Sequence, residues 1–273
     1  MGEPCKLNII FDIDETLVYF IHSRYVPDTW NTLDENVKNK YTFEQKKFSG
    51  HVTLLRPGLL EFLNNLKNMD CELYLWTWSD IEYAEGIADM ITKQYNTTYS
   101  KDDNNILFKF IFADQHAEAS STKHANSKDL NWLWHDKDYN TPPKCFPAWQ
   151  STQCGIKCFA ECNTILIDDL PANSVNNSNI HNSITVKPFA PFGTNKDRNQ
   201  THISMDKENV LLGEVLPIII AAKELAKGCY EREENEEGET LRLRENYIFA
   251  NFQTEPSLQK YLKHVMQQVK KRG

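Results

Sequence analysis

Residues 7–18 read LNIIFDIDETLV, and the reading of this stretch decides the fold. Leu7, Ile9, Ile10 and Phe11 form a continuous apolar run in place of a strict alternation, the pattern of a strand buried on both faces of a parallel sheet. Asp12 and Asp14 follow where that strand ends. Ligands of open parallel sheets bind outside the carboxyl ends of the strands, so both carboxylates face the expected site. Two positions apart in extended chain, they point the same way and make a paired-carboxylate site, suited to metal binding or to nucleophile-plus-acid chemistry. The alternative is that the two aspartates only cap a helix starting at Glu15.

Three later stretches favour the first reading. Residues 71–79, CELYLWTWS, form a second strand-like run that ends in hydroxyls, with Thr77 just before a helix N-terminus, a ready anion site. Lys128 stands in NSKDLNWLW at the start of a helical pattern. Residues 164–171, TILIDDLP, are a buried strand ending in a second carboxylate pair, Asp168 and Asp169.

This order of motifs resembles the haloacid dehalogenase (HAD) superfamily of phosphatases and phosphotransferases. Within it, DETL (14–17), LRPG (55–58), the TxS of 77–79, KDL (128–130) and DDxP (168–171) resemble the small CTD phosphatase branch, also called NLI-interacting-factor-like phosphatases, over residues 7–189 with gaps. The resemblance implies an α/β fold: a Rossmannoid parallel sheet covered by helices on both faces, with small cap insertions and a C-terminal helical extension. It implies that Asp12 is the nucleophile, forming an aspartyl-phosphate, and a metal ligand. Asp14 would exchange a proton with the leaving oxygen and the water while its main-chain carbonyl binds metal. Thr77 and Lys128 would hold the phosphate, Asp169 would complete the metal shell, and Asp168 would support the metal site or the lysine. That branch often carries Asn at the second position of the last pair, so the Asp169 carboxylate makes strict metal dependence the expectation. Hard oxygen ligands and a phosphate favour magnesium over zinc.

Composition sets the outer bounds. At 273 residues, 40% hydrophobic and 25% charged, the chain can bury one large domain with insertions. A net charge of -8 argues against a nucleic-acid partner, which needs a basic face. No segment approaches the roughly 20 apolar residues of a membrane span, and residues 1–20 lack a signal-peptide layout. The expected location is cytoplasmic or nuclear, with export to a host cell left open. Seven cysteines, an odd number, favour reduced thiols.

The expected layout is a phosphatase domain over 1–227, an acidic linker over 228–245 and a helical segment over 246–273. The domain carries a cap-site insertion at 19–53, too short for a large lid, and a cysteine-containing insertion at 135–163. Leu59, Leu60, Phe62, Leu63 and Leu66 behind Pro57 predict an amphipathic helix, and a second runs to about residue 94 with Ser79 as its cap. Residues 108–112 and 183–186 predict strands. Residues 114–127 show no apolar period, so His116, Lys123 and His124 are expected on a solvated loop. Lys128 is preferred to Lys123 as the phosphate-site lysine because it precedes the helical residues Leu130, Trp132 and Leu133. Trp76 is expected in the core, and Trp78 either there or as an aromatic wall beside the phosphate.

Cys154, Cys158 and Cys162 are spaced by four and would share a helix face, but with Cys145 they lack CxxC knuckle pairs, so buried thiols are expected over zinc. Residues 208–227 predict a helix bent near Pro217. The run 231–239 reads as a solvated linker or tip. Leu258, Leu262, Val265 and Val269 predict a last helix, whose Lys263, Lys270, Lys271 and Arg272 complement its dipole or bind a partner or membrane surface.

Three functions compete on this reading. The first is a magnesium-dependent phosphatase of phosphorylated protein or peptide side chains, Ser/Thr or Tyr. The second is a phosphatase of small phosphorylated metabolites or nucleotides, and the third is a catalytically idle phospho-binding module.

Overall fold

The structure, a computed structural model, describes residues 6–26, 42–44, 50–100, 105–124, 128–134, 159, 163–174, 182–192, 210–226, 230–235 and 238–243. Its strands are β1 (Asn8–Phe11), β2 (Val18–His22), β3 (Thr42–Glu44), β4 (His51–Leu55), β5 (Glu72–Trp76), β6 (Phe110–Phe112), β7 (Thr164–Asp168), β8 (Ser183–Thr185), β9 (Tyr230–Asn235) and β10 (Gly238–Leu243). Its helices are α1 (Leu59–Asn68), α2 (Ile81–Tyr99), α3 (Asp114–His124), α4 (Leu130–Trp134), α5 (Pro171–Ser174) and α6 (Leu216–Ala226).

The expected α/β architecture is present. Five strands form a parallel sheet in the order β6-β5-β1-β7-β8, with β1 between β5 and β7. Successive residues of a strand point to opposite faces, and here both faces are covered. Ile9, Phe11, Leu73, Leu75, Ile165 and Ile167 pack on one side with Leu59, Phe62, Leu63 and Leu66 of α1, Ile87 and Ile91 of α2, and Ile219 of α6. Ile10, Tyr74, Trp76, Phe110, Phe112 and Leu166 pack on the other with Leu130, Trp132, Leu133 and Trp134 of α4. Two-sided burial is the physical reason for the unbroken apolar runs.

The turn after β1 excludes a helix starting at Glu15. Glu15 takes φ 58°, and its amide donates to the Val18 carbonyl at 2.7 Å, so the chain reverses into β2. Within the expected cap insertion, β2 and β3 pair antiparallel with β4. Tyr19, Ile21 and Leu54 of this small sheet pack on Phe189 and Phe192.

Two expectations are corrected by the structure. Residues 114–124 form α3 and not a loop; the buried positions are His116, Ala117 and Ser120, small or polar residues that leave no apolar stripe. Asp80, not Ser79, caps α2, accepting the Tyr83 amide at 2.8 Å, and the helix runs on to Tyr99. The helix expected over 208–227 is present over the described residues 210–226, and it carries a π-helical turn, Leu211–Val215, in which the Leu216 amide reaches the Leu211 carbonyl just before the residue that lacks a donor. Of the acidic run read as a solvated linker or tip, residues 231–235 and 238–239 fall in the antiparallel pair β9–β10. Its register sets Glu231 opposite Arg242.

Cys71, among the described residues, is a free buried thiol that burial pushes up to about 11. Cys145, Cys154, Cys158 and Cys162, the C-terminal segment 246–273, and the side chains of Lys123 and His124 lie outside the described residues. No helix among the described residues is long and apolar enough to cross a membrane.

Candidate active site

The sheet register brings the chemistry together. Phe11 is level with Leu75 on one neighbour and Ile167 on the other, so the next residue of each strand end falls at the same edge. The Asp12 amide donates to the Ile167 carbonyl at 2.9 Å, which carries the pairing one step past the end of β1 and sets Asp12 beside Asp168.

Lys128 joins these two strand ends. Its ammonium donates to Asp12 Oδ1 at 2.5 Å and to Asp168 Oδ2 at 2.8 Å, with all three residues buried. The lysine is held from behind by its neighbour: the Asp129 amide donates to Ser120 Oγ at 3.0 Å, and Asp129 Oδ1 accepts the Asn131 amide at 2.9 Å, capping α4. Asp168 is held in turn, accepting the Leu170 amide at 2.8 Å and Asn173 Nδ2 at 3.0 Å. Asp169 Oδ1 accepts the Thr16 hydroxyl at 3.2 Å.

Asp12, Asp168 and Asp169 form a buried group in which one carboxylate oxygen from each lies within 4.8 Å of the others. Three oxygen-donor carboxylates lie around one buried ammonium that bonds two of them, and a divalent cation would offset the remaining negative charge, so the residues present fit a hard metal ion. Burial pushes the Asp12 carboxyl up to about 8 against the pull of Lys128. Burial, and then Asp168, raise Asp169 as well. Desolvation works against the charge of Lys128, but Asp12 and Asp168 outweigh it and hold the ammonium above its ordinary value.

Asp14 stands apart from that group. Its Oδ1 accepts the Tyr83 hydroxyl at 2.5 Å and its Oδ2 the Ser79 hydroxyl at 3.2 Å. Burial raises its carboxyl above the ordinary carboxylate range, and the two hydroxyls oppose that shift. Thr77 is buried at the end of β5, where its Oγ1 accepts the Ser79 amide at 3.1 Å and its amide donates to the Phe112 carbonyl at 2.9 Å. Trp76 is fully buried in the core against Phe112 and Trp132, whereas Trp78 is 51% exposed. His116 is buried rather than solvated: its Nδ1 accepts the Ala113 amide at 3.0 Å, and burial pulls it down to about 4.

The sequence reading thus names Asp12, Asp14, Thr77, Lys128, Asp168 and Asp169, and the fold gathers them at one sheet edge. It misses Tyr83, Ser79 and Asn173 as partners of the site. The only local signal for Ser79 was the TxS word itself, and Thr16 stood unassigned within DETL.

With this geometry in view, comparison with known proteins is informative. Residues 7–209 match the family described as NLI interacting factor-like phosphatase. The chain belongs to that family. It is 33% identical over 86 residues to an RNA polymerase II C-terminal domain phosphatase of Caenorhabditis elegans, a match covering 32% of this chain and only 12% of that protein. Among solved structures it is similar to Fcp1, an essential RNA polymerase II CTD phosphatase, at 18% identity and a TM-score of 0.40, covering 96% of this chain and 64% of that one. It is also similar to fission yeast Fcp1 bound to beryllium fluoride, at 16% identity and a TM-score of 0.39, covering 96% and 63%.

Proposed function

We propose that this member of the family is a magnesium-dependent phosphatase of phosphorylated protein side chains, working through an aspartyl-phosphate on Asp12. The observation that carries the reading is the division of the aspartates between two environments. Asp12 sits against an ammonium inside a carboxylate group, while Asp14, which is not part of that group, sits against two hydroxyls. Two carboxyl groups with different surroundings are what a nucleophile and an acid/base partner require.

In the first step an Asp12 oxygen bonds to phosphorus, the bond from phosphorus to the leaving oxygen breaks, and Asp14 gives that oxygen its proton. In the second step water attacks phosphorus, Asp14 takes a proton from it, and the phosphorus bond to Asp12 breaks to release phosphate. Lys128 offsets charge on the phosphoryl oxygens, and Thr77 donates its hydroxyl to one of them. Asp12, Asp168 and Asp169 would hold the magnesium ion, with the Asp14 carbonyl as a further ligand. Bound there, the ion neutralises phosphate charge that otherwise repels a carboxylate nucleophile.

We read a phosphorylated polypeptide as the substrate class because the insertion at 19–53 is, by its length, too short for a large lid that would enclose a metabolite. The nematode relative is a phosphatase of a polypeptide's C-terminal domain, and this chain is read as acting on a polypeptide of its own. The test is phosphate release from phosphoserine, phosphothreonine and phosphotyrosine peptides beside nucleotides and sugar phosphates, with and without magnesium. Peptide preference, with at least roughly a 100-fold loss in Asp12→Asn, is expected. Preference for metabolites, or ordinary activity in a folded Asp12→Asn, overturns it.

A further inference from the structure

Asp14 is held more closely than a carboxyl that only needs to lie near a substrate. Both of its oxygens take a hydroxyl from the same segment of chain, Ser79 just after β5 and Tyr83 in the first turn of α2. The anchors of those two hydroxyls are fixed in turn. The Ser79 amide donates to Thr77 Oγ1, and its carbonyl accepts the Asp114 amide at 3.0 Å. The Tyr83 amide is tied to Asp80, and its ring meets the edge of Phe20 at 5.1 Å. Phe20 stacks on His51 at 4.6 Å, so the small antiparallel sheet braces the tyrosine.

The two contacts are not equivalent. A tyrosine hydroxyl at 2.5 Å from a carboxyl oxygen is a donor, and an oxygen that accepts so short a bond is a poor place for the acid's own proton. A serine hydroxyl at 3.2 Å turns freely and can donate to a carboxylate or accept from a carboxylic acid. We infer that Tyr83 is a positioning residue that commits Oδ1 of Asp14 to accepting, so that Oδ2 carries the transferable proton and Ser79 steers it. This rests on the acid/base role proposed for Asp14.

The balance of the step is unchanged. The proton leaves Oδ2 for the leaving oxygen as the phosphorus bond to that oxygen breaks, and Oδ2 later takes a proton from the attacking water. Tyr83 keeps its own proton throughout, its hydroxyl donating to Oδ1.

A positioning role for proton delivery predicts a dependence on the leaving group that a merely structural role does not. The experiment measures kcat/KM, which reports the steps through phosphoryl transfer to Asp12, for a phosphoserine peptide and for 2,4-dinitrophenyl phosphate in magnesium. The serine alkoxide needs the proton and the dinitrophenolate does not. Tyr83→Phe is expected to lower kcat/KM for the peptide about 10- to 100-fold, within the range of general acid catalysis, and for the aryl ester by about threefold or less. Ser79→Ala, which leaves the aromatic packing intact, is expected to show the same split with a smaller loss. An equal loss on both substrates in both variants, or no loss on either, overturns the inference. A wild-type chain that releases phosphate from neither substrate overturns the proposed function, and this inference with it. Activity in the wild type with no split in the variants overturns this inference alone.

Discussion

Replacing Lys128 with methionine removes one ammonium while keeping most of the side-chain volume. That ammonium bonds Asp12 at 2.5 Å and Asp168 at 2.8 Å, and the lysine is 1% exposed. Exposed ion pairs contribute about 0–1 kcal/mol. Deleting one partner of a buried pair costs about 3–5 kcal/mol, because the remaining charge stays buried without compensation. Asp168 retains its bonds from Leu170 and Asn173 but loses its ammonium partner, as Asp12 does. We expect a loss of about 3–5 kcal/mol in urea unfolding of the metal-free protein at pH 8.

The variant can relieve the strain by protonating Asp12. That carboxyl is already raised from 3.8 to about 8, and removing the cation raises it further. An acid whose folded value lies above its unfolded value binds its proton more tightly in the folded state, so stability falls as pH rises through the window above 3.8. The variant's loss is therefore expected to be no larger at pH 5 than at pH 8, and to grow above pH 8, where the wild type ionises Asp12 and the variant does not. A loss below about 1 kcal/mol at pH 8, the size of a surface pair, or one that grows toward pH 5, would refute the reasoning.

Other substitutions test other parts of the fold. Glu15→Gly at φ 58° is expected to stabilise by about 1 kcal/mol, seen as a higher urea midpoint; destabilisation would show that the Glu15 side chain contributes more than the backbone strain costs. Thr16→Val removes the hydroxyl that orients Asp169 and is expected to weaken magnesium binding about 10- to 100-fold, read from the magnesium dependence of the unfolding midpoint. Trp76→Ala is expected to cost about 3–5 kcal/mol and Trp78→Ala within about 0.5 kcal/mol, since one ring is fully buried and the other half exposed; equal losses would contradict the placement of the two indoles.

The strand ends were legible because their signals are local. A continuous apolar run marks a strand covered on both faces, and the polar residue that stops it marks the edge where a parallel sheet binds ligands. Asp12, Thr77 and Asp168 could be read that way without knowing the strand order. Lys128 could be chosen over Lys123 from the apolar residues that follow it. Helix α3 was not legible, since His116, Ala117 and Ser120 cover its buried face and give no apolar period. The β9–β10 hairpin was hidden by its charge: glutamate crowds β9 and the start of β10, and a run of carboxylates reads as solvated chain.

Local patterns along the chain carry the class of sheet, the residues at its carboxyl edge and the family those motifs mark. How that edge is wired comes from the packing of the strands. Asp12 meets Lys128 across 116 residues, Asp169 meets Thr16 across 153, and Asp14 meets Tyr83 across 69. Apolar periodicity records which way a side chain faces within its own element. A hydrogen bond between elements depends on which strands lie side by side and in what register, and no spacing along the chain encodes that.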